Sequence, residues 1–158
     1  MKKPLHLILE GSDKVGKTTV CNLLSKKLKL PIIKMKDMPK LFHSRPEEAS
    51  EIFNKTIVQF KDFSFICDRG YPSSIVYNKY FKRGYNLSYL DSIVNDLEPK
   101  IFVLIGESRE NDDIISKRSQ RNINTLYKLF SEIHGWELIY VDNKSPEDIV
   151  DEITNKLK

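Results

Sequence analysis

The chain carries near its start the stretch Gly11-Ser12-Asp13-Lys14-Val15-Gly16-Lys17-Thr18, which matches the pattern G-x-x-x-x-G-K-[ST]. In this pattern successive backbone N–H groups surround the phosphates of a nucleotide. The lysine, here Lys17, reaches the outer phosphates, and the hydroxyl of Thr18 binds Mg²⁺. We therefore predict a nucleotide site formed by Gly11, Ser12, Asp13, Lys14, Val15, Gly16, Lys17, Thr18 and Thr19.

The flanking segments support this prediction. Residues 5–9 form a continuous apolar run that is typical of a buried parallel strand. After the loop, Val20, Leu23, Leu24 and Leu28 follow helical spacing. A strand, a glycine loop and a helix are the arrangement that the motif requires, because the helix N-terminus adds its dipole to the anion site.

Apolar strand-like runs recur along the chain and are separated by helical patterns, which predicts an α/β fold with a parallel sheet between two helical layers. We expect a single domain over residues 1–158. The predicted strands cover residues 5–9, 32–35, 63–67, 101–105 and 138–141. Helices are predicted after a capping box at Ser44 and Glu47, over 72–83 with Gly84 as its stop, over 89–97 and 112–134, and from Ser145.

The composition is that of an ordinary globular protein, with 40% hydrophobic and 30% charged residues. The formal net charge of +4 is modest and does not call for a nucleic-acid partner, so none is expected. The apolar run near the N-terminus is too short for a signal peptide, and no segment has the length of a membrane helix. We expect a cytoplasmic protein without a membrane partner.

The predicted third strand is followed directly by Asp68 and Arg69. In an open parallel sheet, ligands bind at the carboxyl edge of the strands, which is where these two residues would lie. The carboxylate of Asp68 can hold magnesium together with Thr18, and the guanidinium of Arg69 can bind a phosphate through two parallel hydrogen bonds.

Two stretches resemble thymidylate kinases. Residues 10–19 are similar to the family's loop E-G-x-D-x-x-G-K-[ST]-[ST], and residues 68–78 are similar to its D-R-Y-x-x-S-x-x-A-Y-Q, with Ser73 and Tyr77 in matching positions. Residues 139–147 also look like the family's last strand and adenine-side loop. In the second stretch Gly70, Val76 and Asn78 depart from the pattern.

The resemblance implies a P-loop kinase fold with strand order 2-3-1-4-5, ATP as phosphate donor, a lid at about 109–124 and a homodimer. It implies that Lys17, Asp68 and Arg69 act at the transferred phosphoryl group, and that Lys14 neutralises charge in the transition state. Arg118 and Arg121 of the lid would act as arginine fingers. The acceptor site would consist of Asp13, Asp37, Arg45, Arg69, Tyr71 and Ser73.

Only residues 36–67 separate the second predicted strand from Asp68, fewer than in a thymidylate kinase. We favour a deoxynucleoside monophosphate as acceptor, because its phosphate oxygen is already ionised and needs no general base. If the acceptor is instead a deoxynucleoside, a carboxylate must take the proton of its 5′-hydroxyl, and Asp37 and Glu10 are the candidates.

Two other function classes remain for comparison. A GTPase would carry D-x-x-G after the third strand and N-K-x-D near the end, and residues 68–71 and 143–146 fit neither. A non-catalytic ATP-binding interaction module would keep the loop without turnover, which the short acceptor region suggests. The presence of Lys17, Thr18, Asp68 and Arg69 argues against that module. For a kinase, Lys17→Ala is expected to abolish turnover with little effect on the fold.

Overall fold

The computed structural model describes residues 2–35, 44–107 and 114–158. Its centre is a five-stranded parallel sheet in the order β2-β3-β1-β4-β5, which confirms the predicted fold and strand order. The strands are β1 His6–Gly11, β2 Ile32–Lys34, β3 Phe65–Asp68, β4 Lys100–Ile105 and β5 Glu137–Tyr140.

Helices cover both faces of the sheet. The described helices are α1 Lys17–Leu28, α2 Pro46–Val58, α3 Tyr71–Tyr80, α4 Leu90–Ile93, α5 Ile114–His134 and α6 Pro146–Lys156, with a 3₁₀ turn at Asn95–Leu97. Because side chains alternate along a strand, Ile8 packs into the core beneath α2, α3 and α5. Its neighbours Leu7 and Leu9 pack into the second core, beneath α1 and α6. The result is the three-layer architecture that the sequence predicts.

Strand register brings the two sequence motifs together. Leu9 of β1 pairs with Asp68 of β3, and Gly11 pairs with Leu104 of β4. The loop after β1 and the turn after β3 therefore leave the same edge of the sheet, on neighbouring strands. This edge positions the candidate site.

Some predicted helix ends are wrong. The box at Ser44 and Glu47 does not form: α2 has Arg45 at its N-cap, without a side-chain capping bond. The region 89–97 divides into α4 and the 3₁₀ turn, and α3 ends at Tyr80, before the predicted stop. By contrast, α6 begins with a complete capping box between Ser145 and Asp148. Within the described residues, no helix combines the length and apolar composition needed to cross a bilayer.

Candidate active site

The loop between β1 and α1 has the backbone geometry of an anion site. Lys14 and Gly16 both adopt left-handed conformations, with φ of 65° and 96°. Such residues turn successive N–H groups toward one point. A Cβ on Gly11 would lie 2.9 Å from the carbonyl oxygen of Leu104, so only glycine fits the start of the loop. Helix α1 has no acidic residue in its first turn and no side-chain cap at its N-terminus. These features fit the phosphates of a nucleotide.

The first residue of α1 forms an ion pair with the last residue of β3. The Nζ of Lys17 lies 2.5 Å from Oδ1 of Asp68, and the two side chains are only 10% and 3% exposed. The next residue, Thr18, is exposed on the first turn of α1. A hydroxyl and a carboxylate are oxygen ligands of the kind that Mg²⁺ takes, together with nucleotide phosphates and water. Thr18 and Asp68 therefore fit the predicted magnesium role.

This ion pair revises the expected effect of Lys17→Ala on the fold. Removing the lysine leaves the buried carboxylate of Asp68 without its cation. Breaking a buried pair in this way destabilises a protein by about 3–5 kcal/mol. A loss of stability must therefore be separated from a loss of catalysis when Lys17 is tested.

The side chain of Arg69 lies at the same edge of the sheet, and the backbone of Arg69 is strained. Its φ of 72° is left-handed, an uncommon conformation for a residue with a side chain. Nη2 donates to Oδ1 of Asp13 at 2.7 Å, and Nη1 donates to the hydroxyl of Ser73 at 3.1 Å. The side chain of Arg69 is 15% exposed, whereas that of Asp13 is 83% exposed. The structure thus brings together three of the predicted acceptor residues.

The side chain of Glu10 holds the turn after β3 through hydrogen bonds, a role that the sequence did not predict. The carboxylate is fully buried and accepts hydrogen bonds from the N–H of Gly70 at 2.7 Å and of Ser73 at 3.2 Å. It also accepts from the hydroxyls of Ser73 and Tyr127. These bonds tie the N-terminus of α3 to β1 and so position Arg69. A carboxylate enclosed by these donors has no access to a substrate hydroxyl, which excludes Glu10 as the general base.

The buried carboxylate of Glu10 gives the stability a defined pH dependence. Burial raises the pKa of Glu10 above its ordinary value of 4.5, although the nearby charge of Arg69 acts to lower it. The folded protein therefore holds this proton more tightly than the unfolded chain does. The contribution of protonated Glu10 to the stability of the fold is complete below pH 4.5. It is lost as the pH rises through the raised pKa of Glu10.

We expect the free energy of unfolding to fall above pH 4.5, with a contribution from Glu10 of at most about 1.4 kcal/mol per pH unit. Glu10→Gln removes this titration. Urea unfolding of both proteins from about pH 4 to pH 8 should show the wild type losing stability relative to the variant. The opposite trend would mean that the pKa of Glu10 is lowered in the folded protein.

A cavity of about 290 Å³ opens beside Arg69. Its walls are mainly apolar and come from the loop after β1, from α2 and from α3 with the turn that follows it. The lining residues are Asp13, Met35, Pro46, Ser50, Arg69, Ser73, Ser74, Tyr77, Asn78, Phe81, Arg83, Tyr85 and Leu87. Such a mostly apolar cavity with a few polar groups at one end is typical of a small-molecule site.

Two predicted acceptor residues lie elsewhere. The side chain of Tyr71 is buried in the core, where its hydroxyl accepts a hydrogen bond from Nε1 of Trp136 at 3.1 Å. Arg45 is exposed and pairs with Glu48 at 3.3 Å. For Tyr71 and Arg45 the acceptor role is not supported by their placement. Asp37 lies outside the described residues.

The predicted lid is described from residue 114 onward, where it forms the first turns of α5. Arg118 is exposed, and Arg121 is exposed beside Glu107, with 3.7 Å between Nη2 and Oε1. Between them the buried Gln120 donates to the hydroxyl of Ser12 at 3.1 Å and to the carbonyl of Asp13 at 3.3 Å. Gln120 therefore holds α5 against the loop between β1 and α1. Residues 116–122 are all polar, so no local pattern distinguishes Gln120 from its neighbours.

Structural comparisons give the relatives of this fold. A YorR protein from Bacillus subtilis, solved in complex with phosphorylated GDP, is 27% identical with a TM-score of 0.73, over 96% of this chain and 94% of that chain. A thymidylate kinase from Ehrlichia chaffeensis is 17% identical with a TM-score of 0.65, over 99% of this chain and 100% of that chain. A deoxyadenosine kinase from M. mycoides is 16% identical with a TM-score of 0.62, over 97% and 98%.

No protein-family model and no curated protein matches the chain. The structural likeness nevertheless covers nearly the whole length of each relative. The chain therefore has the fold of thymidylate kinase-like P-loop kinases, as the sequence resemblance implies.

Proposed function

We propose that this protein is a nucleotide kinase that transfers the γ-phosphoryl group of ATP to a deoxynucleoside monophosphate. One observation carries the proposal. The loop that ends in Lys17 follows β1, Arg69 follows the neighbouring strand β3 and pairs with Asp13 of that loop, and the cavity opens beside Arg69. A donor on the loop and an acceptor in the cavity would meet between these groups. The likeness to nucleotide kinases supports the same reaction class.

Phosphoryl transfer depends mainly on positioning and on matching the charge of the transferred group. Mg²⁺ would supply charge neutralisation at the phosphates, held through Thr18 and Asp68. Lys17 is poised beside Asp68 and can turn to the outer phosphates of ATP. Arg69 can hold the phosphate of the acceptor, because its planar guanidinium offers a bidentate contact. We assign a supporting role near the donor to three further cations, Lys14, Arg118 and Arg121.

A monophosphate acceptor agrees better with the described residues than a nucleoside acceptor. The end of the cavity nearest the loop is formed by Arg69, Ser73 and Asp13, and Arg69 provides a cation for a phosphate. The nucleoside alternative needs a carboxylate base, and the enclosed Glu10 does not provide one. Asp37 keeps that alternative open as the remaining candidate.

Release of ADP from ATP and Mg²⁺ tests the proposal, measured across a panel of deoxynucleosides and their monophosphates. We expect turnover with at least one monophosphate and none with the matching nucleoside. Turnover with nucleosides alone would establish the deoxynucleoside kinase instead. Calorimetric binding of ATP without any ADP release across the panel would identify a non-catalytic ATP-binding module.

A further inference from the structure

The outer wall of the cavity carries an aromatic ladder that phosphoryl transfer itself does not use. The Cζ of Arg69 lies 5.5 Å from the ring centroid of Tyr77, which stacks on Phe81 with centroids 6.0 Å apart and an interplanar angle of 25°. On Phe81 lies the guanidinium of Arg83, with Cζ 4.8 Å from the ring centroid. The ladder thus begins and ends with an arginine, and two rings separate the two cations.

The far arginine is held in place by the turn after α3. The N–H of Arg83 donates to the carbonyl of Asn78 at 3.0 Å. The side chain of Asn78 also holds Tyr85, donating to its carbonyl at 2.8 Å and accepting from its N–H at 3.2 Å. Left-handed conformations at Lys82 and Gly84 allow this tight turn. These bonds fix the backbone at Arg83, whose side chain lines the cavity.

Arg83 is half-buried, lines the cavity and has no carboxylate partner among residues 2–35, 44–107 and 114–158. Arg69, at the other end of the ladder, is paired with Asp13. A guanidinium is a hydrogen-bond donor only. A ligand that fills this cavity therefore meets the N–H donors of Arg83, which no carboxylate of the described residues engages.

We propose that Arg83 selects the base of the acceptor, favouring bases with a ring carbonyl at the recognised edge, namely guanine, thymine and uracil. This inference rests on the proposed function: with the acceptor phosphate on Arg69, the base lies along the rings of Tyr77 and Phe81 and reaches Arg83. Guanine offers O6 and N7, and thymine and uracil offer O4, to a donor fork. Adenine and cytosine present an amino group at the corresponding position, which places donor against donor.

The test measures both binding and turnover with dGMP, dTMP, dAMP and dCMP. For the wild type we expect Kd and kcat/KM to favour dGMP and dTMP over dAMP and dCMP by about tenfold or more. Arg83→Met keeps the apolar stem but removes the donors, and should reduce that preference to within about twofold. Lys79→Met removes a cation from the exposed face of α3, outside the cavity lining, and should leave the preference unchanged.

Arg83→Lys keeps the charge without the planar fork and should give an intermediate preference. Equal use of all four nucleotides by the wild type would overturn the inference while leaving the kinase proposal intact, and so would a preference that survives Arg83→Met. A binding preference that Arg83→Met abolishes, in a protein without turnover, would support the inference and reject the kinase proposal. Absence of binding by all four nucleotides would overturn both.

Discussion

Replacing Lys17 by methionine is expected to lower kcat by about 10²–10³-fold, because the ammonium group that matches charge on the transferred phosphoryl is removed. Methionine keeps much of the apolar stem, so the packing at the start of α1 changes little. The measurement is ADP release from ATP and Mg²⁺ with the best acceptor of the panel. Near-normal activity of this variant would contradict the assignment of the loop as the donor site.

The ion pair with Asp68 requires a control for stability. Lys17→Met leaves a buried carboxylate unpaired, so its thermal unfolding should occur at lower temperature than that of the wild type. Adding Asp68→Asn removes the stranded charge and should recover part of the stability without recovering activity. Lys26→Met, on the exposed side of the same helix, should change neither quantity.

Arg69→Ala is expected to lower kcat/KM for the acceptor by about 10²–10³-fold, because the acceptor phosphate loses its charge-assisted bidentate contact. The KM for ATP should change much less, since the variant keeps Lys17 and the backbone N–H groups proposed to hold the donor phosphates, although it loses the contact between Arg69 and Asp13. Initial rates with each substrate varied in turn separate these two effects. Unchanged kcat and KM for the acceptor would remove Arg69 from the site.

Two further variants test whether Arg69 holds the acceptor phosphate. Arg69→Lys keeps the charge but not the fork, so only a small part of the activity should return. Lys27→Ala breaks an exposed ion pair with Asp151 and should leave the kinetics unchanged.

Arg69→Ala also removes the positive charge that lowers the pKa of Glu10, so this pKa should rise further. The loss of stability that comes from Glu10 should therefore extend to higher pH in this variant than in the wild type.

The main features of the fold could be predicted because they depend on local patterns. Short apolar runs that alternate with helical spacing require a parallel sheet with covered faces. The loop at residues 11–18 adopts its geometry from its own glycines and from the helix that follows. Asp68 and Arg69 come to the same edge because parallel strands end there together.

The role of individual side chains could not be predicted as well. Tyr71 stands in the stretch that resembles the acceptor motif, yet its direction is set by Trp136, a residue far along the chain. The sequence presents Glu10 only as a candidate base, because the groups that enclose its carboxylate lie at the start of α3 and on α5, far along the chain. Gln120 meets the loop from a helix more than a hundred residues later.

The sequence alone determined the layered sheet, the glycine-containing loop at residues 11–18 and the place of Asp68 and Arg69 beside that loop. Each of these follows from contacts between neighbours or from the rules of strand connection. The tertiary structure alone decided which side chains face the cavity. It buried Tyr71, enclosed Glu10 and placed Arg83 at the end of an aromatic ladder. These outcomes depend on how helices from distant parts of the chain pack together, and no local pattern contains that information.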